Sequence, residues 1–446
     1  MTPLVFALAG MALAIWMTLA AIRLFNHARQ GAPTLFLLAI ANLALLAQLF
    51  IDRSSDEQGI DAAVGLAQSN TAGRVFTALY LTALSIMALT TVRQKRRRQG
   101  RPLAVAAVLL GCAGVLSSLI GTVPVLNWRV VLLPTVLLLV YLAPLPSATS
   151  VARVGLAISL GFVEGSLLCA LLLPDWAFDG GARPNLFGFS SQRLLGLTPH
   201  PNTLGPLCVF AIVLALAVRP RFWKFHVLAS VVALVLADSR GAIISLVVAA
   251  IVLVYYRSGE RIGSGGLATV FLGAAVVASG VATAAITGVS LLPWTSRDLS
   301  TINSRTSVWD ITITFWRQSP FFGYGPELWS PAFRLSNLGG GFSWAGQAHN
   351  QFVQSLGELG IFGFIPLVAT VSLLLHYGIR LRFVTCGLSL ALPLVMIVNM
   401  LTEAPVRSVG VLFLFPLLFT YTWTLALLNN RGVATNELAV SESDRA

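Results

Sequence analysis

Apolar stretches of about 20 residues recur along most of this chain, separated by short polar connections. They fall near residues 3–24, 33–51, 72–92, 103–121, 129–147, 150–174, 203–218, 226–238, 241–256, 264–288, 352–376, 384–402 and 408–428. That is the length a helix needs to cross the hydrocarbon of a bilayer. Inside lipid every backbone N–H and C=O must pair within the protein, so these runs are predicted as α-helices. About 12 or 13 spans result. The one long interruption covers residues 299–363. Within it Arg305, Trp309, Ile313 and Trp316 recur at helical spacing and predict an amphipathic helix. The turn-rich run Ser319-Pro320-Phe321-Phe322-Gly323-Tyr324-Gly325-Pro326 follows, and Gln347-Ala348-His349-Asn350 leads into the next apolar span. The chain therefore divides into transmembrane helices over 1–288, a large outer loop over 289–351, further transmembrane helices over 352–428 and a polar tail over 429–446.

Composition agrees with this pattern and excludes a water-soluble monomer. Of the 446 residues 56% are hydrophobic and only 10% charged, against about a quarter charged in soluble domains; mean hydropathy is +0.82. A net charge of +12 would suit nucleic acid if it were clustered on a soluble face. It follows membrane topology instead, because cytoplasmic loops collect Lys and Arg. The dense run Arg93-Gln94-Lys95-Arg96-Arg97-Arg98 sets its loop inside, and alternation from there puts 18 of the 29 basic residues on the shorter inner segments. The same alternation puts the tail in the cytoplasm, where its composition predicts disorder. The N-terminus lies outside with 13 spans and inside with 12. The first apolar run lacks a basic leader and is long enough to span, so it reads as a helix rather than a cleaved signal. Cys112, Cys169, Cys208 and Cys386 fall in or at the ends of apolar runs without CxxC spacing, as small core residues do.

Segments 52–73, 175–202, 238–241 and 290–350 then face outward, and of the five histidines only His200 and His349 lie on that side. His27, His226 and His376 sit at inner helix ends. Arg240, in Asp238-Ser239-Arg240-Gly241 between two apolar runs, is an ionisable group at membrane depth, which is costly unless paired or used. Its planar fork suits a phosphate, although a pair with Asp238 or snorkelling to headgroups also explains it. Arg305, one helical turn before Trp309, is a second candidate cation, and a helix lying on the headgroups explains the same spacing equally. The glycine turn at 323–325 is of a kind that cradles anions, and ordinary turn chemistry explains it equally. His349-Asn350 at a helix start is the sharpest signal: Asn caps, and a neutral imidazole there could take a proton from a sugar hydroxyl, although a hydrogen-bonded headgroup contact also explains an interfacial histidine. Arg193, His200 and Asn202 add a further outer cluster, while Glu164, Asn399 and Glu403 are polar groups within or at the ends of spans that would partner arginines or neighbouring helices. Gly357, Gly360 and Gly363 share a helix face, as close helix packing requires. No His/Asp/Glu cluster on the outer face has metal-ligand spacing.

Together these pieces resemble the O-antigen ligase and polymerase superfamily of bacterial envelope enzymes. The residues that carry the likeness are Ser239-Arg240-Gly241, Arg305 with Trp309 ahead of Pro320 and Gly323-Tyr324-Gly325, His349-Asn350 followed by Glu358-Leu359-Gly360-Ile361-Phe362-Gly363, and Arg193 with Asn202-Thr203-Leu204-Gly205. The resemblance covers about residues 190–370 and implies a GT-C-like enzyme in the bacterial inner membrane, with about 12 spans and its site on the periplasmic face. It implies transfer of a glycan from undecaprenyl diphosphate to an acceptor hydroxyl, with neither metal nor nucleotide cofactor. The ligase branch uses lipid A–core as acceptor, the polymerase branch another lipid-linked repeat, and a third branch protein side chains. The corresponding expectation is His349 as general base, Arg240 and Arg305 with Arg193 on the diphosphate, and Asn350, Trp309, Ser239, His200 and Asn202 in support. Trp309 and its helix would cover the polyprenyl entrance. The single His-Asn loop favours the ligase branch. A transporter of lipid-linked glycans is the reading from another class, but the polar residues gather at the outer surface rather than through the bilayer depth.

Overall fold

The computed structural model describes residues 99–125, 128–179, 192–198, 200–257, 296–338, 342, 345–406 and 414–429. The runs near 3–24, 33–51, 72–92 and 264–288, the Arg93–Arg98 cluster, His27, Arg183 and the tail lie outside the described residues, as does the question of 12 or 13 spans. What is described is an all-α membrane protein. Its helices are α1 (Arg101–Ile120), α2 (Leu132–Leu142), α3 (Ala148–Leu172), α4 (Pro201–Val218), α5 (Trp223–Ala237), α6 (Arg240–Arg257), α7 (Ser296–Gln318), α8 (Pro331–Leu338), α9 (Gln351–Leu381), α10 (Leu388–Thr402) and α11 (Phe415–Asn429). Four of them, α1, α3, α4 and α9, are long and apolar enough to cross a membrane, and α2, α5, most of α6 and α10 are shorter apolar helices.

Local chemistry sets the ends. The Ser147 hydroxyl caps α3 by accepting the Ser150 N–H at 3.1 Å. Pro201 opens α4 at a position where its missing N–H costs nothing. Asp238, at φ 45°, stops α5 and turns the chain directly into α6.

α4 is apolar all round and sits at the centre of the bundle, packed on α3, α5, α6, α10 and α11. α9 lies between α1 and α10, and α11 closes against α2 and α3. Leu228, Ile251, Val254 and Ile365 on outward faces are exposed, as residues facing lipid are. Gln99, ahead of α1, and Asn429, at the end of α11, bond each other at the end of the bundle where the charge pattern puts the cytoplasm.

The described part of the long polar segment is more than the amphipathic helix and turn read from the sequence. α7 and α8 enclose an apolar core of their own: Val308, Tyr324, Leu328, Trp329, Phe333, Ala345 and Ala348. The Trp329 indole N–H donates to Thr312 Oγ1 at 3.0 Å inside it. The sequence reading of α9 as one unbroken span is corrected at Gly360, whose φ 65° and ψ −164° break the helix. Residues 320–325 thread onto that break. The N–H groups of Ile361 and Phe362 donate to Pro320 and Phe321, and those of Tyr324 and Gly325 donate to Gly357 and Glu358. A Cβ at Gly360 would lie 2.3 Å from the Phe321 carbonyl oxygen. Gly360 is thus set by backbone conformation rather than by a smooth packing stripe. The turn's N–H groups are likewise taken up in joining α7 to α9, with Gly323 N–H on Ser319, so the anion-cradle alternative does not hold.

Candidate active site

Several helix ends meet around Glu403, the residue after α10, 4% exposed. A buried carboxylate needs several donors and a cation near it, and here α4, α7 and the loop leading into α9 supply them. Asn202, in the first turn of α4, donates from Nδ2 to Glu403 Oε1 at 2.6 Å. Gln347 donates from Nε2 to Oε2 at 2.6 Å. His349 Nδ1 lies 3.1 Å from the same Oε2. The Arg305 guanidinium, from α7, is 3.9 Å from Oε1, and its Nη1 reaches the Thr402 carbonyl at 3.5 Å. Burial alone would raise the Glu403 pKa. The charge and hydrogen bond of His349, then the charges of Arg305 and His200, outweigh it and bring the carboxyl down to about 2 from an ordinary 4.5. Glu403 is therefore an anion throughout the physiological range.

An ionised carboxylate beside Nδ1 decides the tautomer of His349. Nδ1 carries the hydrogen and donates to Oε2, which leaves the lone pair on Nε2. The backbone at His349 is left-handed, φ 49°. The chain on both sides is tied down. Trp309 Nε1–H donates to the Ala348 carbonyl at 2.8 Å, and the Asn350 side chain caps α9 by accepting from Phe352 and Val353 N–H at 2.9 and 3.2 Å.

The other sequence candidates divide. Arg193, set by the two-residue pairing of β1 (Phe178–Asp179) with β2 (Arg193–Leu194), donates from Nε to Ala237 O and from Nη2 to Asp238 O, covering the carbonyl end of α5. The same Nη2 donates to Asn202 Oδ1 at 2.8 Å, which fixes the amide so that its Nδ2 faces Glu403. His200 caps α4, its Nδ1 accepting the Asn202 N–H. Ser239 is buried against Gly205, and Gly241 packs so closely on Thr402 that an added Cβ would be 2.4 Å from its Oγ1. Arg240 between them, half-buried, thus starts α6 within the same cluster of helix ends. Trp309 braces the His349 loop from behind, and the Asn350 side chain is spent on the cap. Elsewhere, Glu164 pairs with His226, so the helix-partner alternative holds for that carboxylate.

Glu403 and Gln347 are the residues whose weight the sequence reading missed. A lone acid closing an apolar span on the side that also carries His349 was the available signal. These contacts can do three things chemically: hold an imidazole in one tautomer, keep a carboxylate ionised behind it, and set the Arg305 guanidinium beside it.

The helices and this cluster define a polytopic membrane protein with a candidate acid–base and anion site at one end. Residues 225–368, from α5 through the Gly360 break, match a family model described as O-antigen ligase, which supports membership of the O-antigen ligase superfamily. Arg193, Asn202 and Glu403 fall outside the matched stretch. None of the curated proteins matches the chain.

Proposed function

We propose that this chain is an O-antigen ligase of the bacterial inner membrane. On the periplasmic side it transfers a polysaccharide from undecaprenyl diphosphate to a sugar hydroxyl of lipid A–core. The observation that carries the reading is the Glu403–His349 pair beside Arg305, with His349 and Arg305 inside the segment that the O-antigen ligase family model matches. His349 Nε2 takes the proton of the acceptor hydroxyl as its oxygen attacks the anomeric carbon. The bond from that carbon to the phosphate oxygen breaks, its electron pair leaves with the diphosphate, and the configuration inverts. Glu403 stabilises the imidazolium that forms.

Arg305 and Arg240 bind the diphosphate and stabilise its growing charge, a load that a metal carries in many glycosyltransferases. Arg305 suits this part because its contacts to Glu403 and Thr402 are long, 3.9 and 3.5 Å, and its side chain is 31% exposed. Arg193 serves the same anion from behind by holding Asn202 and the α5 end.

The test is purified protein in nanodiscs with lipid-linked glycan and lipid A–core. The expected product is glycan on the core. Elongated lipid-linked glycan instead would assign the polymerase branch, glycan on a protein acceptor the oligosaccharyltransferase branch, and translocation without transfer a transporter; each overturns the ligase reading.

A further inference from the structure

Three glutamines around the start of α9, Gln347, Gln351 and Gln354, are 6%, 0% and 0% exposed. Burying an amide is costly unless both its ends are paired, and each of these is paired in a way that fixes its orientation. Gln347 accepts the Ala404 N–H on Oε1 at 3.2 Å, which turns its Nε2 to Glu403. Gln351 clamps Val406 from both sides, accepting its N–H and donating to its carbonyl, each at 2.6 Å. Gln354 accepts the Ala348 N–H at 2.8 Å, and its own Nε2 is held by Glu358 Oε2 at 2.9 Å. Two of the amides therefore tie residues 403–406 to the α9 start, and the third ties down the residue before His349.

A left-handed histidine is an uncommon conformation that persists only where its surroundings over-determine it. These amides point at the backbone flanking Glu403 and His349. A generic core would fill the same volume with apolar side chains.

We propose that Gln347, Gln351 and Gln354 are positioning residues for glycan transfer, holding the His349 imidazole and the Glu403 carboxylate in one geometry. Gln347 also shares the carboxylate oxygen that the imidazole uses. The proposal rests on the function above. The titratable groups beside the pair are Arg305 from α7 and His200 at the start of α4, with Arg193 behind Asn202 and Glu358 behind Gln354.

The experiment measures kcat and donor KM in nanodiscs for Gln347→Leu, Gln351→Leu and Gln354→Leu, with His349→Ala as control. Expected are kcat losses of about 10- to 100-fold with donor KM within about twofold, the split that misplacement of the base produces and general loss of the site does not. Unchanged kcat per folded protein, or a donor KM raised in step with the kcat loss, overturns the proposal. Should a leucine variant not accumulate, the near-isosteric Gln→Glu replacement at that position carries the same test. Transfer by His349→Ala at the wild-type rate defeats the functional reading itself; its loss, with intact glutamine variants, defeats only this inference.

Discussion

Replacing Glu403 by glutamine removes one charge at nearly constant volume, and the structure says why the amide has no good orientation. If its NH2 takes the place of Oε2, it meets the Gln347 Nε2 donor, whose orientation is fixed by the Ala404 N–H, and the His349 Nδ1–H. If it takes the place of Oε1, it meets Asn202 Nδ2, whose orientation is fixed by Arg193. Either way a buried donor faces a donor, at about 1–3 kcal/mol. The simplest relief is for the imidazole to move its hydrogen to Nε2 and accept on Nδ1, which removes the base. A positioned base contributes about 10²- to 10⁴-fold, so kcat of Glu403→Gln falls by that range while donor KM changes about twofold or less. The assay is transfer of fluorescent lipid-linked glycan to core in nanodiscs, with melting followed alongside. A kcat within about threefold of wild type refutes the reasoning, because the carboxylate would then not be setting the tautomer.

Two further outcomes follow from the same contacts. Gly360→Ala meets a backbone region reserved for glycine and a carbonyl oxygen 2.3 Å from the new Cβ, so it loses about 3 kcal/mol or more; a melting temperature equal to wild type contradicts this. Glu403 has a folded pKa of about 2, below its ordinary 4.5, so its contribution is present above about pH 4.5 and is lost as pH falls toward 2, up to about 3 kcal/mol. Melts between pH 5 and 2 should show a steeper loss for wild type than for Glu403→Gln; parallel curves contradict the assignment.

Much of this was legible in the sequence, and the reasons it stopped are physical. Apolar run length and internal backbone pairing determine helices, so α1, α3, α4 and α9 could be read directly from the chain. α7 was legible from Arg305, Trp309, Ile313 and Trp316. Of the residues that the sequence singled out, His349, Arg305 and Asn202 meet at Glu403 with Arg193 behind Asn202, and the three ionisable ones stood out because charge is rare in so apolar a chain. The centre of their arrangement was not. Glu403 lies 54 residues after His349, and nothing local says that two helix ends so far apart in the chain meet. The glutamines were invisible for a similar reason: neutral amides at a helix start give no charge signal, and their partners are backbone groups elsewhere. Gly360 looked like packing because a sequence shows the absence of a side chain but not a positive φ.

The central claim is a division of labour: arginine holds the diphosphate and His349 moves the proton. Its most direct test is the affinity for undecaprenyl diphosphate, together with turnover, in Arg305→Ala and His349→Ala. The account predicts binding weakened at least about tenfold in Arg305→Ala, as loss of a charge-assisted contact requires, and near-normal binding without transfer in His349→Ala. Undiminished binding by Arg305→Ala, or transfer by His349→Ala at the wild-type rate, would contradict it.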